Sequence, residues 1–529
     1  MRRLTTLPAI TLRNPFHPWR PVPQVRIATL LLLTTLAGCL GSSDPEPEPA
    51  PDVSNVILTG ATFWTGGTPA FVEAVAIQDD RIIATGDLQR VLQVAPGDVR
   101  DLGGGMVTPG FHDTHNHLLD AVMGSFQGTL FGSDPHAHSP TTFDPVQGTA
   151  TQQVTASIHV CHWGVQHAES TFETQQEWPM VLPQFFGSNL ARDGCYLGLL
   201  DEPPSDAELR QRWQAMEAAA ASYGITHSVQ AGMDPDVAAR FLAGKPSLRW
   251  SLYLWPEGIE AGYVTGDGDK ARILGVKIYS DGWLGPRTAA MHANYGDRPH
   301  NGFQFYEQES LDAIVQAARD QGLKVTAHAI GDRAVDAVLT AYERADESAC
   351  RQGPTCGDPR FSIEHASVVQ PGSLDRLVAL DVVPSVQLSF PTSDAHWIDQ
   401  ALGEGAGLPY PWATMRELGL RLGGSSDWPI EVLSPLWGIE RAVTRQEVDE
   451  SLSSPFQPGE AVDIDAALRM LTVDAAYLSY LDDVGTLEPG MKADLVWLEE
   501  NLYDVPAGDI ADVRVLETWV DGQPVHVAS

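Results

Sequence analysis

The segment Phe111-His112-Asp113-Thr114-His115-Asn116-His117 closes a β-like run that begins at Val107. In an extended backbone alternate side chains share a face, so His115 and His117 point the same way and can grip one metal ion. The spacing alone recurs by chance. His136-Ala137-His138 is another instance, in a Pro-flanked loop with no strand to set it. What distinguishes His115 and His117 is the company they keep further along the chain.

Counting the run from Val107 as the first, seven more strand-like runs begin at Ile225, Leu248, Ile273, Leu323, Arg360, Asp381 and Leu420. Helix-like stretches separate them. Ser205-Asp206-Ala207-Glu208 is a capping box at the head of an Ala-rich helix. Residues 331–346 carry helical apolar spacing at Val335, Val338, Leu339 and Tyr342. Eight βα units predict an α/β fold with a (β/α)8 TIM barrel, whose catalytic groups sit at the C-terminal strand ends. Here those ends repeat one kind of residue. The fourth run reads Gly275-Val276-Lys277-Ile278-Tyr279-Ser280-Asp281 and the fifth ends Val325-Thr326-Ala327-His328. The sixth ends Phe361-Ser362-Ile363-Glu364-His365 and the eighth Gly423-Gly424-Ser425-Ser426-Asp427. Lys277 lies between Val276 and Ile278 and would point into the barrel, where a bare ammonium is costly. Singly, each residue also reads as ordinary structure: a core histidine, or an aspartate capping a helix. Their joint order, His-x-His, Lys, His, His, Asp, is what chance does not supply.

The flanks are β-like. Asn55-Val56-Ile57-Leu58 and Ala74-Val75-Ala76-Ile77 precede a turn at Asp79-Asp80 and the run Arg81-Ile82-Ile83-Ala84. Ala493-Asp494-Leu495-Val496-Trp497-Leu498 and Val515-Leu516-Glu517-Thr518-Trp519-Val520 have the same texture near the other end. Residues 53–107 and 484–529 are therefore expected to form a composite β-sandwich domain, and residues 108–483 the barrel. Residues 118–204, rich in Gly, Pro and Thr, are too long for one βα loop and are expected to be an insertion over the barrel mouth.

Composition narrows the setting. Hydrophobic residues make up 43% of the 529, enough for a large core. Asp and Glu number 69 against 33 Lys and Arg, a net charge of −36, which excludes nucleic acid as the expected partner. Arg2, Arg3, Arg13, Arg20 and Arg26 precede an apolar run, Ile27 to Leu36, too short for a membrane span and suited to a signal-peptide core. Residues 1–38 thus read as an export signal. Leu36-Ala37-Gly38-Cys39 resembles a lipoprotein lipobox, which implies cleavage before Cys39 and lipid on its thiol. An ordinary secretory signal with a chance cysteine is the alternative. Residues 39–52 hold a Pro/acidic tether from Ser43 to Pro49. The expectation is an exported protein, anchored by lipid alone on the periplasmic or extracellular face of the cell envelope. Cys161, Cys195, Cys350 and Cys356 remain, an even number in an oxidising compartment. Cys350 and Cys356 bracket a turn-rich stretch where a small disulfide loop would fit, with Cys161–Cys195 as a further pairing.

The order of strand-end residues resembles the amidohydrolase superfamily of metal-dependent hydrolases. Finer motifs resemble its YtcJ-like branch: residues 276–282 with Gly285-Pro286-Arg287-Thr288-Ala289-Ala290, then Ala327-His328-Ala329-Ile330-Gly331-Asp332-Arg333-Ala334. Ile363-Glu364-His365-Ala366 and Gly424-Ser425-Ser426-Asp427-Trp428-Pro429 complete the set. The resemblance covers roughly 53–117 and 203–526, and residues 118–202 depart from the branch's pattern.

The resemblance implies that His115, His117, His328 and His365 ligate a divalent metal, zinc foremost with iron or manganese as alternatives, one or two per chain. Lys277 holds the position where superfamily members often carry an N6-carboxylated lysine, a carbamate able to bridge two cations. A neutral or paired core lysine is the other reading. Asp427 would touch the metal, act as general base toward its water, and then protonate a leaving nitrogen. Asp113 is expected to support the two histidines rather than ligate. Asp281 and Arg287 are candidates for substrate contacts or, equally, for bracing their loop. His112, His159, His162 and His167 receive no role, and Trp163 and Trp428 read as pocket wall or packing. The expected activity is hydrolysis of a C–N bond in a small amide, N-acyl or N-formyl compound, or cyclic amide. Ester, lactone or phosphotriester cleavage is the near alternative. A lipid-anchored binding protein without turnover is the distant one, and the complete residue set counts against it. A small-molecule substrate is the expected partner, with the oligomeric state left open.

Overall fold

The computed structural model describes residues 55–119, 129–131, 140–144, 149–151, 205–260, 270–347, 357–428, 430–447 and 454–528. The expectations for residues 1–54, including Cys39, and for Cys161, Cys195, Cys350 and Cys356 lie outside the described residues, as do His159, His162, Trp163 and His167. Of the 118–204 insertion, three short antiparallel strands are described, Thr129–Phe131, Pro140–Asp144 and Thr149–Thr151.

Eight parallel strands follow one another around a barrel in chain order. They are β1 (Phe111–Asn116), β2 (Ile225–Met233), β3 (Arg249–Leu254), β4 (Ala271–Tyr279), β5 (Lys324–Ala329), β6 (Ser362–His365), β7 (Val383–Gln387) and β8 (Gly423–Ser425). The strands are covered on both faces, as in a two-sided parallel sheet: every residue of β1, β2, β3 and β5 is buried, polar ones included. The seam closes between β1 and β8. Thr114 Oγ1 donates to the Gly424 carbonyl at 3.0 Å. Just past the strand ends, Asp427 N donates to His115 O at 2.8 Å and His117 N to Trp428 O at 2.9 Å. The seam thus brings the His-x-His segment against the Asp427 loop.

The helices pack outside through single apolar stripes. Gln308–Asp320 buries Leu311, Val315 and Ala318, at helical spacing. Asp332–Glu347 covers the barrel through Val335, Val338, Leu339 and Tyr342, the four positions read from the sequence. The capping box at Ser205 is formed, with Ser205 Oγ accepting from Glu208 N and the Glu208 carboxylate accepting from Ser205 N.

Seven of the strands begin within three residues of the runs read from the sequence, and one differs in assignment. Val107 does not open the barrel: Met106–Pro109 belongs to the flanking sheet, pairing with Asn55–Trp64 and Leu495–Leu498. The chain changes sheets at Gly110, where a Cβ would lie 2.1 Å from Thr226 Oγ1. The absence of a side chain lets β1 start beside β2 without a gap.

The flanking sheet has eight strands drawn from both ends of the described chain. Leu495–Leu498 lies antiparallel to Met106–Pro109 and joins the two halves. The sheet then folds back on itself. Leu58, Val75, Ile77, Ile82, Leu495 and Trp519 share one core cluster although their strands are far apart in pairing order. Gly522, at φ +70°, comes so near the Asp79 carbonyl that a Cβ would be 2.1 Å from it. Both layers of the sandwich are therefore parts of one hydrogen-bonded sheet. Arg249 of β3 fastens the barrel to it, with Nε 2.6 Å from Asp494 Oδ2, Nη2 3.0 Å from Asp494 Oδ1, and a further bond to Asp521. Among the described residues no helix is long and apolar enough to cross a membrane.

Candidate metal centre

β1 delivers His115, and the residue after it in the same extended course is His117; the seam brings Asp427 opposite both. Asp427 Oδ1 stands 3.4 Å from His115 Nε2 and 3.4 Å from His117 Nε2. The three donor atoms all lie within 4.8 Å of one another, and all three residues are buried. A tetrahedral zinc with bonds of about 2.0–2.1 Å sets its donors roughly 3.3 Å apart, so this group fits a divalent metal.

The imidazole of His115 is held by its far side. Nδ1 donates to Glu364 Oε2 at 2.5 Å, which leaves the Nε2 lone pair facing Asp427. Glu364 in turn accepts from the Thr326 hydroxyl. Burial alone would raise the Glu364 carboxyl, but His115, Lys277 and Thr326 outweigh it and hold the group down at about 2. Burial and the Lys277 charge lower His115, and the same causes bring His328 down to about 3. His365 is depressed well below the ordinary value by burial and by His328. These imidazoles are neutral near pH 7, the form that ligates metals. Burial works against the Asp427 charge too, yet His115, His117 and His365 hold that carboxyl far below the usual carboxylate range.

Lys277 is fully buried, with Nζ 3.3 Å from His115 Nε2 and 4.9 Å from the Tyr279 ring centre. Burial pulls its ammonium down to about 8, against the raising effect of Glu364 and Asp427. His365 Nδ1 donates to Gln387 Oε1 at 2.7 Å and stands 4.0 Å from Asp427 Oδ2. His328 Nε2 donates to the Gly282 carbonyl at 2.9 Å, and its ring centre is 4.4 Å from that of His365. The structure thus brings His115, His117, Lys277, His328, His365 and Asp427 into one cluster. Within it, His115, His117 and Asp427 are tightest, and His328 and His365 form an adjoining pair.

Backbone strain is concentrated here. His365, Ala366 and Asp427 have φ of 74°, 44° and 54°, left-handed values costing of order 1–3 kcal/mol each in residues other than glycine. Successive residues of a regular strand face opposite ways. The turn at His365 breaks that alternation, so Glu364 reaches His115 while His365 reaches Gln387 and Asp427.

Three other sequence candidates hold backbone. Asp113 accepts from Ser426 N at 3.0 Å, Ser426 Oγ at 2.6 Å and His115 N at 3.3 Å, pinning the β8 turn to β1. Asp281 accepts from the backbone N–H groups of Ala290, Ile330 and Gly331 at 2.8–3.0 Å, tying the loops after β4 and β5 together. Arg287 pairs with Asp297 at 2.8 Å and donates to the carbonyls of Leu284 and Gly285. Asp281 and Arg287 therefore brace separate contacts rather than each other. His112 packs edge-on against His227 with ring centres 4.8 Å apart, and Trp428 is fully buried in packing.

Glu364, Thr326 and Gln387 are the residues the sequence reading passed over. Glu364 left one signal: a carboxylate inside a fully buried strand, directly before a strand-end histidine. Glu364→Gln keeps the shape but weakens the hold on His115, and metal affinity is expected to fall about 10–100-fold. Competition with a chelator of known affinity measures it.

A cavity of about 470 Å³ lies next to this cluster, lined by none of the six cluster residues themselves and separated from them by aromatic rings. Phe390, on its wall, stacks on His365 at 6.0 Å, and Trp283 meets His328 edge-on at 6.0 Å. Every lining residue comes from segments that follow a C-terminal strand end, where barrel sites form.

The profile of the amidohydrolase family matches residues 188–526. The chain is 29% identical over 257 residues to the putative amidohydrolase YtcJ of Bacillus subtilis (strain 168), covering 48% of this chain and 47% of that one. It is 29% identical over 240 residues to the N-substituted formamide deformylase of Arthrobacter pascens, covering 45% and 43%. The chain thus spans about half the length of these curated relatives. An uncharacterized metal-dependent hydrolase from Pyrococcus horikoshii OT3 shares the fold, with TM-score 0.65 and 24% identity over 86% of this chain and 99% of that one. With a barrel of this topology, the strand-end residues at these positions and a family match over most of its length, the chain belongs to the amidohydrolase family, among YtcJ-like relatives.

Proposed function

We propose that this chain is a metal-dependent hydrolase that cleaves a C–N bond of a small amide, N-acyl or N-formyl compound, or cyclic amide. The observation that carries the reading is Asp427, whose one carboxylate oxygen faces His115 and His117 at 3.4 Å each. A divalent metal, zinc foremost, held there would supply a Lewis acid and an acidified water. Asp427, kept ionised by its neighbours, accepts the proton of the attacking water. It returns that proton to the nitrogen as the C–N bond breaks and the new C–O bond forms, so carboxylate and charge are restored. Glu364 fixes His115 in the tautomer that presents Nε2. Lys277 is placed to join the group, either as a carbamate or as a supporting amine. The formamide-cleaving relative favours C–N chemistry over esters and phosphotriesters. We propose further that the site works outside the cytoplasm, tethered through lipid on Cys39, as the segment before residue 53 implies.

The test is an assay of zinc-loaded protein on a panel of N-formyl and N-acyl amines, cyclic amides, esters and phosphotriesters, with and without chelator. Turnover of C–N substrates, abolished by chelator and restored by zinc, is the expected result. Turnover confined to esters or phosphotriesters would move the reaction class, and none on any substrate would leave a binding protein.

A further inference from the structure

We propose that the cavity beside the metal centre selects substrates carrying a protonated amine on a compact apolar body, with Asp394 and Glu431 as the receptor for the cation. The inference deepens the hydrolase reading by naming what the pocket recognises.

The walls are aromatic: Trp283, Phe390, Trp397 and Tyr410 all line the cavity, an enclosure suited to a small apolar or cationic group. Its fixed charges are unequal. Arg287 brings the one guanidinium among the described lining residues, but Asp297 neutralises it and the Leu284 and Gly285 carbonyls occupy Nη1. Its plane also rests over the Trp397 ring at 5.0 Å. An anionic substrate would find little of that group free. Asp394 and Glu431 are half-buried, and neither has an ion-pair partner among the described residues. Their polar neighbours are hydroxyls: Tyr410 donates to Asp394, and Ser389 and Ser393 lie beside Glu431. A carboxylate accepts about four hydrogen bonds, so both keep capacity for a ligand. Burial raises each carboxyl to about 7, and the Glu431 charge adds to the rise at Asp394. Arg287 acts on Asp394 and Arg441 on Glu431 only from a distance and do not offset the burial, so two crowded carboxyls without an ion-pair partner are what an incoming ammonium relieves. His396, at the exposed edge, is 3.4 Å from Glu447 and does not offset them.

The experiment is calorimetric titration of the zinc-loaded full chain at pH 8 with four probes of one shape: benzylammonium, benzyltrimethylammonium, benzyl alcohol and benzoate. Both cations are expected to bind at least about tenfold tighter than the alcohol, with benzoate weakest. The quaternary cation cannot ligate a metal, so its preference reports the receptor alone. Glu431→Gln and the double change with Asp394→Asn should bring the cation-to-alcohol ratio progressively toward unity, with zinc content as the check on folding. The single variant carries the test if the double one does not fold. Tighter binding of benzoate, equal binding of alcohol and cations, or a preference for benzylammonium alone that vanishes without zinc would overturn the proposal. Cation preference without hydrolysis of any panel compound would leave the receptor standing and remove the hydrolase reading.

Discussion

Asp427→Asn is expected to lower kcat by about 10²–10⁴-fold, the span of a lost general base, while metal stays on the protein. Asparagine keeps the size of the side chain and tolerates the left-handed φ of 54° at this position. It can still offer an oxygen toward His115 and His117. It cannot take a proton from water and hand it to a leaving nitrogen. A second cause adds to the loss: the carboxylate charge, held by three histidines, is removed from a buried site. Elemental analysis and kcat on the best panel substrate measure the two consequences separately. Turnover within about tenfold of the parent enzyme would take Asp427 out of the proton path.

The second large effect concerns Lys277. Its amine is fully buried and 3.3 Å from His115 Nε2, where an ammonium would repel a metal on the same nitrogen. Burial lowers the group to about 8, so much of it is free amine in mildly alkaline buffer. Free amine adds to carbon dioxide, forming an N–C bond and releasing one proton, and the product is an anion. Lys277→Met removes amine and carbamate alike while nearly conserving volume. Loss of one of two metal equivalents, with kcat down about 100-fold or more, is expected if the carbamate bridges metals. The parent prepared free of bicarbonate should then show the same metal deficit. One metal in both proteins, with kcat reduced less than about tenfold, would make Lys277 a supporting amine.

Much of this site was legible before any coordinates. Strand periodicity and strand-end residues are local properties, so the eight runs, the capping box at Ser205 and the core stripe of Asp332–Glu347 emerge from the sequence and recur in the structure. The boundary at Gly110 did not. Val107 and Phe111 are equally β-like, and only pairing with Leu495–Leu498 assigns the first of them to the flanking sheet. Asp281 and Arg287 show the same limit. Their residue types suit a ligand, but the backbone N–H groups and the Asp297 carboxylate that occupy them come from segments up to 50 residues away.

The sequence by itself determined the fold class and the chemical inventory, because the period of two in a strand and the identity of its last residues need no partner to be read. Tertiary structure alone decided which members of that inventory meet. Closure of β8 on β1 sets Asp427 against His115 and His117 from more than 300 positions away. The left-handed turn at His365 brings Glu364 and His365 to one site against the alternation of the strand. The aromatic cavity with its two carboxyls is assembled from loops that follow five different strands. Each of these depends on packing between distant segments, whose energy is spread over the whole barrel and is written in no single stretch of chain.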